Sequence, residues 1–188
     1  MIKIGITGSL ASGKTTASKI LSRHRGPLFS ADVAVKQLYK NKSFINLVSK
    51  KLRVKNNNQI KKSLKKKILI DKSNLKKLEK IVHPIVRKKM KEFSFKYKNR
   101  KILFFEIPLL IESKLMKFFN VIIFIKSNKK QRLKRFKAKK GDKKLFNLLN
   151  AKQMSDAKKI KFCHHVVVNE KNLSILKKNL LSIISKYE

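Results

Sequence analysis

The chain of 188 residues is short of several residue types, and each shortage excludes a class of protein. A single cysteine, Cys163, cannot form an internal disulfide, so we expect a cytoplasmic, reducing location. No stretch approaches the roughly 18 consecutive apolar residues of a membrane span, and the first residues do not form a signal peptide. The length predicts one domain with a core of its own.

Acidic residues are also scarce: ten stand against 50 basic ones, a formal charge of +40. Such an excess ordinarily indicates nucleic acid or another anionic partner. A dedicated nucleic-acid site would favour clustered arginines and interleaved aromatics. Here lysines are spread over almost every segment, tryptophan is absent, and asparagine and isoleucine are abundant, as in AT-rich coding DNA. We interpret the charge as compositional drift and expect no specific nucleic-acid partner. The arginines are Arg23, Arg25, Arg53, Arg87, Arg100, Arg132 and Arg135.

Residues 8–16 read GSLASGKTT, which is the pattern of a phosphate-binding loop. Residues 1–7 form an apolar run typical of a buried strand, and residues 15–24 have helical periodicity, so the context fits. The loop amides and the helix N-terminus would hold phosphates, with Lys14 on the β- and γ-phosphates and the Thr15 hydroxyl on Mg²⁺. We assign to ATP binding Gly8, Ser9, Leu10, Ala11, Ser12, Gly13, Lys14, Thr15 and Thr16.

Strand-like and helical segments alternate along most of the chain, which predicts a parallel sheet covered by helices on both faces. Residues 41–100 carry lysine-rich helices without a strong strand, and Pro84 should bend or restart one of them near His83. The asparagines at 56–58 are predicted as a loop. Further strands are predicted at 27–29, 102–107, 121–125 and 164–168, and helices at 33–40, 131–140, 143–152 and 173–186.

Two acids follow predicted strands, where ligands of this fold class bind. Asp32 could accept a proton from an attacking hydroxyl, or it could be an ordinary helix N-cap. Glu106 ends an apolar strand, where it could orient Mg²⁺ or its water, or simply face solvent. His83 stands beside a proline and could equally be an ordinary histidine of a helix.

A basic group stands in the helix at 131–140. Arg132, Arg135 and Lys139 are spaced by three and four residues, so they share one helical face. Gly141 follows as a possible hinge, and the pair of helices around it could close over polyphosphate. The alternative is a solvated face in a lysine-rich protein.

Taken together, several stretches resemble the dephospho-coenzyme A kinase family over nearly the whole chain. They are GITGSLASGKTT at the phosphate loop, SAD at 30–32, LEKIVHPIV at 78–86, IPLLIES at 107–113, QMS at 153–155 and VVVNE at 166–170. The His-Pro and Pro-Leu-Leu-x-Glu patterns, in this order and spacing, are far more specific than the phosphate loop.

This resemblance implies transfer of the ATP γ-phosphate to the ribose 3′-hydroxyl of dephospho-CoA. It implies one domain with a nucleoside-monophosphate-kinase-like α/β fold: a five-stranded parallel core (1–32, 101–126, 153–188), a helical substrate-binding region (33–100) and a lid (127–152). Asp32 and Lys14 would be catalytic, Mg²⁺ would lie at Thr15 and Glu106, and the oligomeric state stays open. The acceptor would contact Asp32, His83, Pro108 and Leu109, and ATP would contact Arg135, Lys139 and Asn169 besides the loop.

Two positions depart from the family pattern. Ser30 replaces the first acid of an Asp-Ala-Asp, and Lys139-Lys140-Gly141 replaces Arg-Asp-Gly in the lid. Lysine keeps the charge but not the bidentate fork of arginine, so Arg132 or Arg135 could take over part of the role. The sequence leaves two alternatives open. One is another small-molecule kinase of the same fold, and the other is a polybasic nucleic-acid-binding ATPase.

Overall fold

The computed structural model describes residues 1–55 and 59–188, which form two compact units. Unit 1 comprises Met1–Ser30 and Lys96–Glu188, and unit 2 comprises Ala31–Phe95. The loop predicted at 56–58 lies outside the described residues. The elements of unit 1 are β1 (Ile2–Gly8), α1 (Lys14–Ser22), β2 (Leu28–Ser30), β3 (Ile102–Glu106), β4 (Val121–Lys126), α6 (Lys129–Ala138), α7 (Lys143–Lys152), α8 (Asp156–Ile160), β5 (His165–Val168) and α9 (Leu173–Ile184).

The strands of unit 1 form one sheet in the order β2-β3-β1-β4-β5, and every pair is parallel. This confirms the five-stranded parallel core predicted from the sequence. The strands β3 and β4, which flank the central strand β1, are almost entirely buried, as their apolar runs require. Because all strands run the same way, their carboxyl ends lie along one edge, where the phosphate loop begins after β1.

The two faces of this sheet carry different side chains. Ile4 and Ile6 of β1 point to a core shared with α1 and α9, in which Leu21 and Leu180 are fully buried. On the opposite face Gly5 leaves room for Leu110, whose Cδ1 would lie 2.7 Å from a Cβ at that position. The same face holds a cluster of phenylalanine rings in edge-to-face contact, namely Phe105, Phe118 and Phe119.

Unit 2 is built from four helices with a core of their own. They are α2 (Ala31–Leu38), α3 (Lys42–Leu52), α4 (Ile60–Ile70) and α5 (Ser73–Lys96). Apolar side chains at helical spacing, among them Phe44, Val48, Leu64 and Val82, form the core, while the lysines between them face solvent. The substrate-binding region assigned from the sequence, 33–100, overlaps this unit but ends later.

Pro84 does not restart the helix, and that part of the sequence prediction is wrong. α5 is continuous from Ser73 to Lys96 with Pro84 inside it. Proline removes one N–H from the helical ladder, at a cost of about 3 kcal/mol in a helix interior. Val82 and Met90 on either side are buried, so packing of the flanking turns offsets the missing bond.

α5 is the longest helix, but its many lysines make it unlike a membrane span. Within residues 1–55 and 59–188, none of the helices combines the length and apolar character that crossing a bilayer requires.

Candidate active site

The phosphate loop lies at the carboxyl end of the central strand β1 and leads directly into α1. Gly13 is the N-cap residue of α1 and has no side chain to cap the helix, and the first turn holds no acid. The first amides of a helix have no partner within the helix and carry partial positive charge. The loop therefore presents these donors to an anion, as the sequence predicts.

Gly13 is required by a close approach of Asn169. Its backbone has φ of +101°, and a Cβ there would lie 2.1 Å from the Asn169 Nδ2 atom. That same amide donates a 2.8 Å hydrogen bond to the carbonyl oxygen of Ser12. Asn169 follows β5, so the parallel sheet brings the end of its last strand to the loop. The structure thus places Asn169, which the family resemblance assigns to ATP binding, beside the phosphate loop.

Lys14 is buried, and its Nζ atom donates a 2.9 Å hydrogen bond to the carbonyl oxygen of Ser9. The ammonium group is thereby folded back along the loop from the helix N-terminus. The Ser12 hydroxyl is also buried, and it lacks a hydrogen-bond partner within the part of the chain that the structure describes. A buried hydroxyl without a partner is costly, so a phosphate oxygen would fit this loop well.

Glu106 is 1% exposed at the end of β3, so the alternative that it faces solvent is wrong. Its two carboxylate oxygens accept hydrogen bonds from the hydroxyls of Thr15, at 2.6 Å, and Ser30, at 2.9 Å. The register of the sheet pairs Ser30 with Glu106, which explains the second contact. Ser30, where the resembled family often has an acid, here donates to the carboxylate instead of adding a second negative charge.

Arg132 and Arg135 of α6 contact the phosphate loop through its carbonyl oxygens. Arg132 is buried and donates to the carbonyl of Leu10 at 3.4 Å, and Arg135 donates to the carbonyl of Ser12 at 3.2 Å. Burial lowers the pKa of Arg132, an effect that the charge of Asp156 partly offsets. The alternative of a solvated face is wrong for these two arginines.

Both guanidinium groups donate to further protein acceptors as well. Arg132 donates to the Asn150 side chain at 2.8 Å and to the carbonyl of Ser127, while Arg135 donates to the carbonyl of Asn169 at 3.0 Å. In this arrangement both residues hold the loop in place. Lys139 is exposed just beyond the end of α6, apart from this group.

The predicted hinge at Gly141 is packed tightly in the structure. A Cβ at Gly141 would lie 2.2 Å from the ring of Phe136, and the left-handed backbone of this turn is at Lys140. Phe136 in turn packs against Phe146, which is fully buried, so α6 and α7 share a small core. Whether these helices close as a lid stays a prediction.

The residues assigned to the acceptor lie in both units. Pro108 and Leu109 are half-buried after β3, and the Thr7 hydroxyl donates to the carbonyl of Pro108 at 3.2 Å. In unit 2, His83 is half-buried in α5, and Asp32 is exposed as the second residue of α2. Asp32 therefore lies inside the first turn, which corrects the N-cap alternative, although a carboxylate is still favoured there by the helix dipole.

Two side chains that touch the loop, Gln153 and Asp156, were given no role there by sequence reasoning, although Gln153 belongs to the QMS stretch of the family resemblance. The amide of Leu10 donates to Gln153 Oε1 at 2.9 Å, and the Ser9 hydroxyl donates to Asp156. The short helix α8, which begins at Asp156 and has Ser155 as its N-cap, was missed as well. One signal was available: Asp156 is the only acid between residues 143 and 169.

Cys163 does not have the properties of a nucleophile. Burial raises the pKa of its thiol to about 11, although the positive charge of Lys159 acts in the opposite direction. The thiol donates to the carbonyl of Lys159 at 3.3 Å, which is a structural contact. The thiolate is therefore scarce at neutral pH.

Comparison with known proteins decides between the kinases that share this fold. The family model for dephospho-CoA kinase matches residues 2–174. This chain belongs to the dephospho-CoA kinase family. It is therefore an ATP-dependent phosphotransferase with the fold of the phosphate-loop kinases.

Individual relatives agree with the family assignment. A dephospho-CoA kinase of Bartonella quintana is 36% identical over 186 residues, covering 96% of this chain and 95% of the relative. The structure of a dephospho-CoA kinase from Campylobacter jejuni has a TM-score of 0.67 and 25% identity, covering 98% of this chain and 96% of the other. A shikimate kinase from Bacteroides thetaiotaomicron, with a TM-score of 0.58, 10% identity and coverage of 98% and 97%, shares the fold alone.

Proposed function

We propose that this protein transfers the γ-phosphate of ATP to the ribose 3′-hydroxyl of dephospho-CoA, with Asp32 as the base and Lys14 on the phosphates. The part of this proposal that concerns ATP, the phosphate donor, is supported by the loop at the end of β1, which leads into a helix N-terminus without a side-chain cap and contains buried Lys14. The identity of the acceptor, dephospho-CoA, is supported by the family assignment together with the His83-Pro84 and Pro108-Leu109-Leu110 patterns.

The ATP site is proposed to comprise the whole loop, residues 8–16, with Arg135, Lys139 and Asn169 around it. Asn169 and Arg135 both contact the carbonyl of Ser12, which supports their place beside the phosphates. Arg135 would stabilise transferring charge only after exchanging some of its protein acceptors for phosphate oxygens. Lys139, exposed beyond α6, would reach the phosphates if the 127–152 region closes as a lid.

The residues at the loop fit Mg²⁺, which the family implies. The Thr15 hydroxyl and a Glu106 oxygen are hard oxygen donors only 2.6 Å apart, at the start of the helix that receives the phosphates. Mg²⁺ keeps several waters and binds substrate phosphates, so it needs few protein ligands. This agrees with the absence of any cluster of three His, Cys, Asp or Glu side chains within residues 1–55 and 59–188. Bound with ATP, the ion would neutralise charge on the phosphate oxygens.

Asp32 is proposed to orient and deprotonate the acceptor hydroxyl. It stands two residues beyond β2 in the chain, at the start of unit 2, and it is exposed. His83, Pro108 and Leu109 would bind the acceptor on their respective units. We also propose a cytoplasmic location, because a chain with a single cysteine forms no internal disulfide and this fits a reducing compartment.

The proposal is tested with Asp32→Asn, measuring formation of CoA by mass from ATP, Mg²⁺ and dephospho-CoA. Transfer should fall by about 10²-fold or more, the usual size of a general-base contribution, while ATP binding measured by calorimetry stays unchanged. Glu92→Gln removes an exposed acid from α5 in the same unit and is the matched control. Wild-type turnover in Asp32→Asn would show that Asp32 is not the base.

A further inference from the structure

Residues 153–159, which we call the brace, connect the phosphate loop to an ion pair between completely buried Lys159 and partly buried Glu112. On the loop side, Gln153 accepts from the Leu10 amide at 2.9 Å, and Asp156 accepts from the Ser9 hydroxyl. These contacts hold the backbone of the loop at Ser9 and Leu10, within the segment that is proposed to bind ATP.

On its other side the brace is held by Glu112, which follows β3. One carboxylate oxygen of Glu112, Oε1, accepts from the Met154 amide at 3.2 Å and lies 2.7 Å from the Nζ atom of Lys159. The second oxygen, Oε2, is buried without a hydrogen-bond partner within the described part of the chain. The contact with Lys159 is an ion pair without an aligned hydrogen bond.

Lys159 is completely buried, which is exceptional in this protein. Lys14 and Lys159 are the two buried lysines in the described residues, and one belongs to the loop and the other to the brace. Burying an ion pair is expensive, and a pair of apolar side chains of similar volume would serve stability as well or better. The pair therefore calls for an explanation other than stability.

We propose that Glu112 and Lys159 are positioning residues for ATP. The ion pair holds the Glu112 carboxylate so that Oε1 receives the Met154 amide, and this anchors the brace between Gln153 and Asp156. The brace in turn holds Ser9 and Leu10 in the geometry that receives phosphates. The inference rests on the proposed use of the loop for ATP, but not on the identity of the acceptor.

The two roles of Glu112 separate in a Lys159→Met background. With Glu112→Gln the buried charges are gone, but an oxygen remains for the Met154 amide. With Glu112→Leu the charges and the oxygen are both gone. Both double variants should fold with similar melting temperatures. Losing one anchoring hydrogen bond is worth roughly three- to tenfold in an equilibrium constant.

The measurements are the Kd of Mg·ATP by calorimetry, and KM for ATP against kcat. We expect Lys159→Met/Glu112→Leu to raise Kd and KM for ATP about fivefold or more with a smaller change in kcat. Lys159→Met/Glu112→Gln keeps the oxygen but loses the ion pair that holds it, so it should raise Kd and KM by a clearly smaller factor. Lys161→Met removes an exposed charge just beyond the brace and should change nothing. Equal ATP affinity in the two double variants would overturn the proposal.

A second variant covers the case in which the leucine variant does not fold. Gln153→Leu leaves the ion pair intact and removes only the acceptor of the Leu10 amide. It should weaken ATP binding to a similar degree, and wild-type affinity would contradict the role of the brace. Because both readouts concern ATP alone, they stay informative even if dephospho-CoA proves not to be the acceptor.

Discussion

Few charged side chains are buried in the described part of the chain, and all of them belong to unit 1. They are Lys14, Glu106, Arg132 and Lys159. Burying a charge is costly unless it is paired or hydrogen-bonded, and each of the four has such partners. Glu106 is held by neutral hydroxyls rather than by a cation, which leaves its negative charge available to a metal.

The variant Glu106→Gln tests whether the charge of Glu106 serves to bind a metal ion. The glutamine amide keeps one oxygen, which can still accept from one hydroxyl. Its NH₂ group replaces the other oxygen and cannot accept from the second hydroxyl, so the free energy of unfolding should fall by about 1–3 kcal/mol. The Mg²⁺ concentration required for half-maximal activity should rise about tenfold or more, because the carboxylate charge is lost.

Ser30→Ala is the matched control for this variant. It removes one hydrogen bond to Glu106 without changing the charge, so it should destabilise the fold while leaving the Mg²⁺ requirement near wild type. An unchanged Mg²⁺ dependence in Glu106→Gln would remove Glu106 from the metal site.

The placement of site residues could be predicted from the sequence only where a local pattern carries it. Lys14 and Thr15 lie within the loop motif, and Glu106 ends an unmistakable strand. Glu112 and Lys159 lie 47 residues apart in the chain, with no pattern that pairs them. Their contact depends on how the segment after β3 packs against α8, which is a property of the folded unit.

At the level of secondary structure, all five strands of the sheet were predicted, but the short helix α8 was not. β1, β3, β4 and α9 carry long apolar patterns, so tertiary packing and local pattern agree. α8 has five residues and begins with a serine cap, too short for a helical period to show. Pro84 was misjudged because local sequence does not reveal how well the flanking turns pack.

Pro84→Ala tests whether the His-Pro pattern serves function rather than folding. Alanine restores the missing N–H to a continuous helix, so the free energy of unfolding should rise by about 1–2 kcal/mol after the entropy of the unfolded chain is counted. If Pro84 shapes the acceptor site, KM for dephospho-CoA should rise at the same time. Lys88→Ala, an exposed change later in α5, should affect neither. Unchanged kinetics in a stabilised Pro84→Ala would contradict an acceptor role.

For the whole molecule, the charge of +40 is the dominant physical fact. Most lysines are exposed, and like charges at this density repel one another in the folded state. The ten acids are too few to neutralise them. Between residues 101 and 160, three of the four acids contact the phosphate loop or its brace, and Asp142 caps α7. Because acids are so few in this chain, the position of an acid in the sequence indicates the candidate site better than the position of a lysine does.

Self-repulsion predicts that salt stabilises the fold. Raising NaCl from 50 to 500 mM should shorten the screening length and increase the melting temperature by a few degrees. Sucrose at matched viscosity, which does not screen charge, separates screening from a general co-solvent effect. A melting temperature independent of salt would show that the surface charges are spaced too widely to matter.

The central claim is tested most directly by asking which acceptor this protein phosphorylates. Purified protein with ATP and Mg²⁺ is given dephospho-CoA, AMP and shikimate in separate reactions, and products are followed by mass. A dephospho-CoA analogue without the 3′-hydroxyl serves as the control for position. The account predicts CoA from dephospho-CoA, little transfer to the rivals and none to the analogue. Absence of CoA, or faster transfer to AMP or shikimate, would contradict it.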